Sequence, residues 1–246
     1  MNTVEEGELI FMRTSVAAAG LAALCLSHVG PAATWLPPVR DLLAPGLAGR
    51  GRATHIALTF DDGPDPVSTP RFLDALDDLG VKATFFLLGA RMARAPELTV
   101  ETAARGHELA IHGWSHRPQW RPTPTRDIRD LRRAIALAEA ASGTRPHWFR
   151  PPYGVLTSGL WHAAHTLDLR PILWGAWGRD WIEPGSPDHV YRTLAPRLRG
   201  GTTLLLHDTS PNGHGEAWRS TLAALPRIVE RCRAEGYEVG PLAEHW

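Results

Sequence analysis

The segment HIALTFDDGP, residues 55–64, decides the fold of this chain. It begins as a short apolar and β-branched run and ends in two carboxylates, a glycine and a proline, which together favour a turn. Four more polar clusters follow short apolar runs, either directly or after a few residues. They are HGWSH (112–116), RPPYG (150–154), RDW (179–181) and HD (207–208). Polar groups that recur at the ends of strands are typical of a functional site.

Strand and helix signals alternate along the chain. Capping oxygens or first-turn prolines predict helix starts at Ser68-Thr69-Pro70, before Arg126 and at Ser186-Pro187. The predicted strands are residues 55–60, 82–88, 108–111, 147–149, 170–174, 202–206 and 237–239. Strands separated by helices imply parallel pairing, either in an open doubly wound sheet or in a closed barrel. In both architectures ligands bind at the carboxyl ends of the strands, where the five clusters fall.

Length and composition favour one α/β domain. The chain has 246 residues and 43% hydrophobic content, which is enough to bury a substantial core. Lys+Arg and Asp+Glu balance at 26 each, so we expect no nucleic-acid partner and a neutral substrate. Several of the ten tryptophans lie beside the polar clusters, as stacking surfaces for sugar rings would. No glycine-rich phosphate loop follows the first strand, so nucleotide binding loses its main support. We expect a monomer.

Residues 1–35 are signal-like or membrane-anchoring. Three glutamates near the start are unusual for a signal, but from Met12 onward Arg13 is followed by an apolar stretch of about a dozen residues, typical of a signal peptide. Residues 36–52 carry proline, glycine and arginine and predict a linker to a domain at 53–246. We therefore expect an extracytoplasmic protein, secreted or membrane-anchored, and a cytoplasmic one if the first segment is not a signal.

Two pairs of residues predict a metal site. Asp61 and Asp62 repel each other unless a cation, such as a metal together with an arginine, compensates them. His112 and His116 are four residues apart and reach one ion if the segment is helical or a tight loop. Two imidazoles and one carboxylate leave positions open for water and substrate, as in catalytic zinc sites. The alternatives are an ordinary Asp-Asp-Gly-Pro turn and structural histidines.

Three further clusters supply groups that assist hydrolysis. Arg150 precedes two prolines, so its guanidinium can be held against a carboxylate, although it could also cap a surface turn. His207 follows a buried strand and can act as a general acid if Asp180 raises its pKa; otherwise it is structural. The joint occurrence of all five clusters at strand ends favours a metal-dependent hydrolase.

Across residues 53–240 these motifs resemble those of the polysaccharide deacetylases, the carbohydrate esterase family 4 with a NodB homology domain. The resemblance implies an irregular (β/α) barrel of about seven parallel strands in a single domain. It also implies one divalent metal ion, for which we expect zinc, while cobalt, nickel and manganese also suit the ligand set. The metal ligands carried over by the motifs are Asp62, His112 and His116.

The same resemblance implies roles for the remaining motif residues. Asp61 is the general base and Arg150 holds it, while His207 is the general acid and Asp180 is its partner. The backbone amide of Tyr153 binds the oxyanion, and we expect Trp181 to lie with it on the substrate side.

This chain departs from the family motifs at two places. Gly113 stands where a serine or threonine is usual, so a hydroxyl that would brace the histidine loop is missing. Trp177 and Gly178 occupy the stretch where the fourth motif has an earlier aspartate.

The activity implied is removal of N-acetyl groups from amino sugars of a polysaccharide such as peptidoglycan or chitin-like oligomers. The substrate would be an acetylated glycan. One alternative is a deacylase that uses the same site on a non-sugar amide or ester. Another is a non-catalytic glycan-binding module, although such a module would need none of Asp61, Arg150 and His207.

Overall fold

A parallel sheet forms the centre of the computed structural model, which describes residues 22–182, 185–210 and 215–246, together with residues 12, 15 and 18–20. The strands are β1 (His55–Asp61), β2 (Thr84–Leu87), β3 (Glu108–Ile111), β4 (Trp148–Phe149), β5 (Arg170–Pro171), β6 (Ala176–Trp177), β7 (Thr203–His207) and β8 (Glu238–Gly240). Their order is β5-β4-β3-β2-β1-β7-β6, and β8 pairs with the start of β1. Every one of these pairings is parallel. The predicted single α/β domain with about seven parallel strands in an irregular barrel is confirmed.

Helices follow most of the strands. They are α1 (Pro37–Leu43), α2 (Thr69–Asp78), α3 (Gly89–Met92), α4 (Pro96–Ala104), α5 (Pro124–Ser142), α6 (Ser158–Thr166), α7 (Pro187–Leu194) and α8 (Ala217–Ala234). Ser186 caps α7 as predicted, because its hydroxyl accepts the backbone N–H of His189 at 3.1 Å. Ser68 does not cap α2 as predicted. Its hydroxyl donates to the Asp65 carboxylate at 3.1 Å, and the same carboxylate accepts the backbone N–H of Ser68.

The barrel is open between β5 and β6, the two edges of the sheet. The sequence predicts one strand over residues 170–174, but β5 ends at Pro171 and β6 begins only at Ala176. Between them Leu173 donates its backbone N–H to the carbonyl of Leu47, at 2.8 Å, instead of to a neighbouring strand. The chain therefore leaves the sheet here to pair with the N-terminal segment.

Residues 36–52, for which the sequence predicts a linker, pack into this opening. Leu47 and Ala48 are buried in the domain. Gly49 accepts the hydroxyl of Thr203, on β7, at 2.7 Å. These contacts are tertiary, and the proline and glycine content of the segment does not reveal them. The segment fills the seam of the barrel.

Residues 1–35 are described only in part, and residues 1–11 lie outside the described residues. Within the described ranges, no helix is by itself long and apolar enough to cross a membrane. The helical stretches Ala18–Trp35 and Pro37–Leu43 pass that test only together, and they meet at a bend of 107°. The expected signal or anchoring role of the segment stays a prediction.

Aromatic side chains fill the space between the sheet and α2. Phe60 on β1 packs against Phe72 of α2, with ring centroids 5.3 Å apart, and against Phe85 of β2 at 5.2 Å. All three are fully buried. Burial of each such side chain contributes roughly 1.5–3 kcal/mol to the free energy of unfolding. The cluster therefore fixes the position of β1 and of the carboxylates at its end.

Candidate active site

Parallel pairing brings the predicted site residues to one edge of the sheet. Asp61 at the end of β1 is in register with His207 at the end of β7. His112 directly follows β3, and Arg150 directly follows β4, its neighbour. A cavity of about 470 Å³ opens at this edge. Of the predicted residues, those that line it are Asp61, Asp62, His112, His116, Tyr153, Trp181 and His207.

Asp62, His112 and His116 offer one ligand atom each within 4.8 Å of one another. Asp62 Oδ1 lies 3.4 Å from His112 Nε2 and 3.3 Å from His116 Nε2. His112 Nδ1 donates to the backbone carbonyl of Arg150 at 2.8 Å, which leaves its Nε2 with a lone pair directed at the carboxylate. Asp62 Oδ1 is buried without a hydrogen-bond partner. Lone pairs that face each other in this way fit a divalent cation between them, with the cavity side left open.

The charges of this group suit a metal. Burial disfavours the charged form of Asp62, but the imidazoles of His112, His207 and His116 outweigh it and hold the pKa of Asp62 well below its usual value. Burial lowers the pKa of His116 to about 4, so this imidazole is neutral near pH 7. An ionised carboxylate and a neutral imidazole are the forms that bind metal.

The two histidines lie on a tight loop and not on a helix. Gly113 has a φ of 92°, a conformation that a β-carbon disfavours. Its carbonyl accepts the backbone N–H of Gly89 at 2.9 Å, and the carbonyl of Trp114 accepts that of Ala90 at 2.8 Å. The start of α3 thus braces the loop through its backbone, where the sequence indicated that a bracing hydroxyl is missing.

Arg150 holds Asp61, the contact that the sequence predicted for its guanidinium. The arginine is fully buried, and its Nη1 donates to Asp61 Oδ1 at 2.7 Å. The same Nη1 donates to the Thr59 hydroxyl at 2.8 Å, and Nη2 donates to the Leu173 carbonyl at 2.9 Å. Asp61 Oδ2 remains on the ligand side, 3.8 Å from His112 Nε2. One oxygen is therefore anchored while the other faces the candidate metal group.

His207 and Asp180 form the second predicted pair. His207 Nδ1 donates to Asp180 Oδ1 at 2.9 Å, and the His207 backbone N–H donates to Oδ2 at 2.8 Å. Thr221, which sequence reasoning missed, also donates to Oδ2, at 2.9 Å. Burial would lower the pKa of His207, but Asp180, with help from Asp62 and Asp61, raises it to about 10. The imidazole is thus protonated near pH 7, with its Nε2 left for the cavity.

Tyr153 lies at the mouth of the cavity. Its φ of 59° is in the left-handed region, and its ring centroid is 4.2 Å from that of His116. The side chain is exposed, and the oxyanion role expected of the backbone amide stays a prediction.

Indoles form the opposite wall. Trp181 packs between His207, with ring centroids 5.7 Å apart, and Trp177, at 4.5 Å. Trp35 and Trp174 meet Trp177 edge to face and also line the cavity. Trp174 and Trp177 lie beside polar clusters in the sequence, which marks them as candidates for the site. Trp35 lies in the predicted N-terminal segment, and no sequence pattern around it predicts that it lines the cavity.

Asp208, to which sequence reasoning assigned no role, supports the loop that carries Asp62. It is fully buried, its carboxylate accepts the Thr69 hydroxyl, and burial raises its pKa to about 7. A β-carbon on Gly63 would lie 2.5 Å from Asp208 Oδ2. Only glycine lets the two segments approach this closely.

Comparison with known proteins agrees with this arrangement. Residues 48–172 match the family described as Polysaccharide deacetylase. A chitooligosaccharide deacetylase of Bradyrhizobium sp. is 33% identical over 197 residues, which cover 77% of this chain and 89% of that protein. The chain belongs to the polysaccharide deacetylase family. The resemblance inferred from the motifs is confirmed.

Two further relatives extend the comparison. A peptidoglycan-N-acetylglucosamine deacetylase of Bacillus cereus is 31% identical over 192 residues, covering 77% of this chain and 86% of the relative. The crystal structure of the Bc1960 peptidoglycan N-acetylglucosamine deacetylase, with bound N-hydroxy-4-(naphthalen-1-yl)benzamide, superposes with a TM-score of 0.75 at 27% identity. That superposition covers 82% of this chain and 92% of the other.

Proposed function

We propose that this protein is a metal-dependent hydrolase that removes N-acetyl groups from amino-sugar residues of a polysaccharide such as peptidoglycan or chitin-like oligomers. The observation that carries the proposal is one cavity onto which Asp61, the Asp62-centred ligand group and a protonated His207 all open. The named activities of the chitooligosaccharide and peptidoglycan relatives support the same substrate class.

Asp62, His112 and His116 would hold the cation, and we expect zinc, with cobalt, nickel and manganese also compatible. When bound, such an ion polarises a carbonyl and lowers the pKa of a water molecule. The open side of the ligand group faces the cavity, so a substrate carbonyl and a water molecule would have access to an ion held there.

Asp61 takes a proton from the attacking water through Oδ2, while Arg150 keeps Oδ1 fixed. The water oxygen bonds to the acetyl carbon, and the carbon–nitrogen bond then breaks. His207 gives its Nε2 proton to the leaving amine, so that acetate and a free amino sugar result. The Tyr153 backbone N–H is the proposed oxyanion donor, and one such donor contributes about 3 kcal/mol.

The first test is acetate release from N-acetylglucosamine oligomers and from peptidoglycan, with protein stripped of metal and then reloaded with zinc or cobalt. The matched variant is Asp61→Asn, since its amide oxygen can still accept from Arg150. We expect it to retain metal and to lose about 10²- to 10⁴-fold in kcat. Asp78→Asn, an equal change of charge on the exposed end of α2, is the control. Full activity in Asp61→Asn would exclude Asp61 as the base.

A second candidate function is deacylation of a non-sugar amide or ester. The indole-rich wall favours it, since four tryptophans would hold an apolar acyl or aryl group as readily as a sugar ring. Turnover of aryl acetates without acetate release from any glycan would establish this alternative. We also propose an extracytoplasmic location, where a cell-wall glycan would be within reach.

A further inference from the structure

A second cavity, of about 220 Å³, adjoins the catalytic cleft. The two cavities share three lining residues, Trp35, Trp174 and Trp177. The indole wall therefore has one face toward the metal group and another toward this second space. Three arginines, Arg40, Arg179 and Arg197, also line the second cavity, which is called here the arginine pocket.

Arg40 is buried in the arginine pocket with most of its donors unused. Only 5% of the residue is exposed. Its Nη2 donates to the carbonyl of Trp174 at 3.1 Å and its Nη1 to that of Thr34 at 3.4 Å, while Nε has no hydrogen-bond partner. A guanidinium has five N–H donors, and a buried one is ordinarily paired with an anion. These two bonds attach α1 to the barrel but do not neutralise the charge.

No acidic side chain among the described residues forms an ion pair with any of the three arginines. None of the ion pairs formed within residues 22–182, 185–210 and 215–246 includes Arg40, Arg179 or Arg197, and none of the described residues lining the pocket is acidic. The charge of Asp41, next to Arg40 in sequence, acts on Arg40 from a distance, but its carboxylate pairs with Arg50 at 2.6 Å. A bound anion would pair with the buried guanidinium of Arg40, and the exposed Arg179 and Arg197, which line the same space, would supply further donors.

We propose that the arginine pocket binds an oxyanion, a phosphate or carboxylate group, carried by the substrate of the neighbouring cleft. The planar fork of a guanidinium matches both groups, because each offers two oxygens in one plane. Trp177 stacks on Trp181, which contacts His207, so the pocket lies two ring contacts from the proposed general acid. The substrate is then an acetylated amino sugar with an anionic substituent on the same or the adjoining unit. This inference rests on the proposed function.

The first experiment compares kcat/KM for acetate release from three matched compounds: N-acetylglucosamine, its 1-phosphate and N-acetylmuramic acid, which carries a carboxylate. We expect at least one anionic compound to exceed the neutral one by on the order of tenfold, because hydrogen bonds to charged groups are the stronger ones. The advantage should shrink as salt is added. The preferred anion distinguishes a phosphate from a carboxylate source. Equal kcat/KM on all three would overturn the proposal.

Arg197→Gln tests the pocket directly, since Arg197 is exposed and its replacement leaves the core intact. We expect the ratio of kcat/KM on the preferred anionic compound to that on the neutral compound to fall about tenfold. Arg199→Gln is the matched control: it makes the same change of charge two residues away, at an exposed position outside the pocket lining. An equal fall in both variants would indicate long-range attraction and would overturn the assigned pocket.

A binding measurement separates this inference from the proposed function. If the wild-type protein released acetate neither from these three compounds nor from N-acetylglucosamine oligomers and peptidoglycan, the proposed function would fail. Calorimetric titration with N-acetylglucosamine 1-phosphate and with N-acetylmuramic acid would still test the pocket. Weaker binding of either compound by Arg197→Gln than by Arg199→Gln supports it, and equal binding of both compounds by the two variants contradicts it.

Discussion

Replacing Asp180 by asparagine removes the charge beside His207 while preserving the size of the side chain. In the wild-type protein Asp180, with help from Asp62 and Asp61, more than offsets burial and raises the pKa of His207 from 6.5 to about 10. Without that carboxylate, burial drives the pKa back toward 6.5. At pH 7.5 an imidazole with a pKa of 6.5 is protonated in about one molecule in ten. We therefore expect Asp180→Asn to lower kcat at least about tenfold at that pH, because the leaving amine loses its proton donor.

The assay is acetate release from N-acetylglucosamine oligomers between about pH 5.5 and pH 9. The raised pKa keeps His207 protonated across this range in the wild-type protein, whereas in Asp180→Asn the protonated fraction grows as the pH falls. The deficit of the variant should therefore shrink toward acid pH. Thr221→Val is the control, since it removes one hydrogen bond to Asp180 but keeps the charge, and its profile should match the wild type. A deficit in Asp180→Asn that is the same at every pH would refute the reasoning, because Asp180 would then only orient the imidazole.

Three further predictions concern the metal group, the indole wall and acid stability. His116→Ala should lower bound metal well below one ion per chain, measured by atomic absorption, and a normal metal content would exclude this ligand. Gly154→Ala should lower stability by about 1–3 kcal/mol and raise KM for glycans, because its φ is 70° and its β-carbon would lie 2.7 Å from Trp174 and 3.0 Å from Trp35. Burial lowers the pKa of His107 to about 4 in the folded protein, whereas the unfolded chain keeps the ordinary value of 6.5. As the pH drops from 6.5 toward 4, the unfolded chain therefore binds a proton that the folded protein does not, and the free energy of unfolding falls by up to about 3 kcal/mol. His107→Asn should show a smaller fall between pH 7 and pH 4.5 in chemical denaturation, and an unchanged fall would exclude His107 as the source.

The parts of the site that lie at strand ends could be predicted because local patterns determine them. An apolar run followed by Asp61 and Asp62 marks both a strand and its end, and parallel pairing then brings His112 and His207 to the same edge. The spacing of His112 and His116 limited their geometry to a helix or a tight loop, and the positive φ of Gly113 decides for the loop.

Contacts between distant segments could not be predicted in this way. Thr59 looks like any β-branched residue in a strand, and only the fold shows that its hydroxyl accepts from Arg150. Trp35 ends the segment predicted to be signal-like and Arg40 lies in the predicted linker, yet both line cavities at the site. No periodicity or motif marks them, because their places depend on the opening left between β5 and β6.

The opening between β5 and β6 divides the site between two parts of the chain. The groups proposed to break the bond lie at the ends of barrel strands or in the loops that follow them, while part of the surface that would contact the rest of the substrate belongs to the segment inserted in the seam. Under the proposed function, substitutions around Trp35 and Arg40 would therefore alter the choice of glycan without changing any of the proposed catalytic groups. Exchanging residues 28–49 between relatives of this fold is accordingly a route to transplanting preference while leaving the chemistry in place.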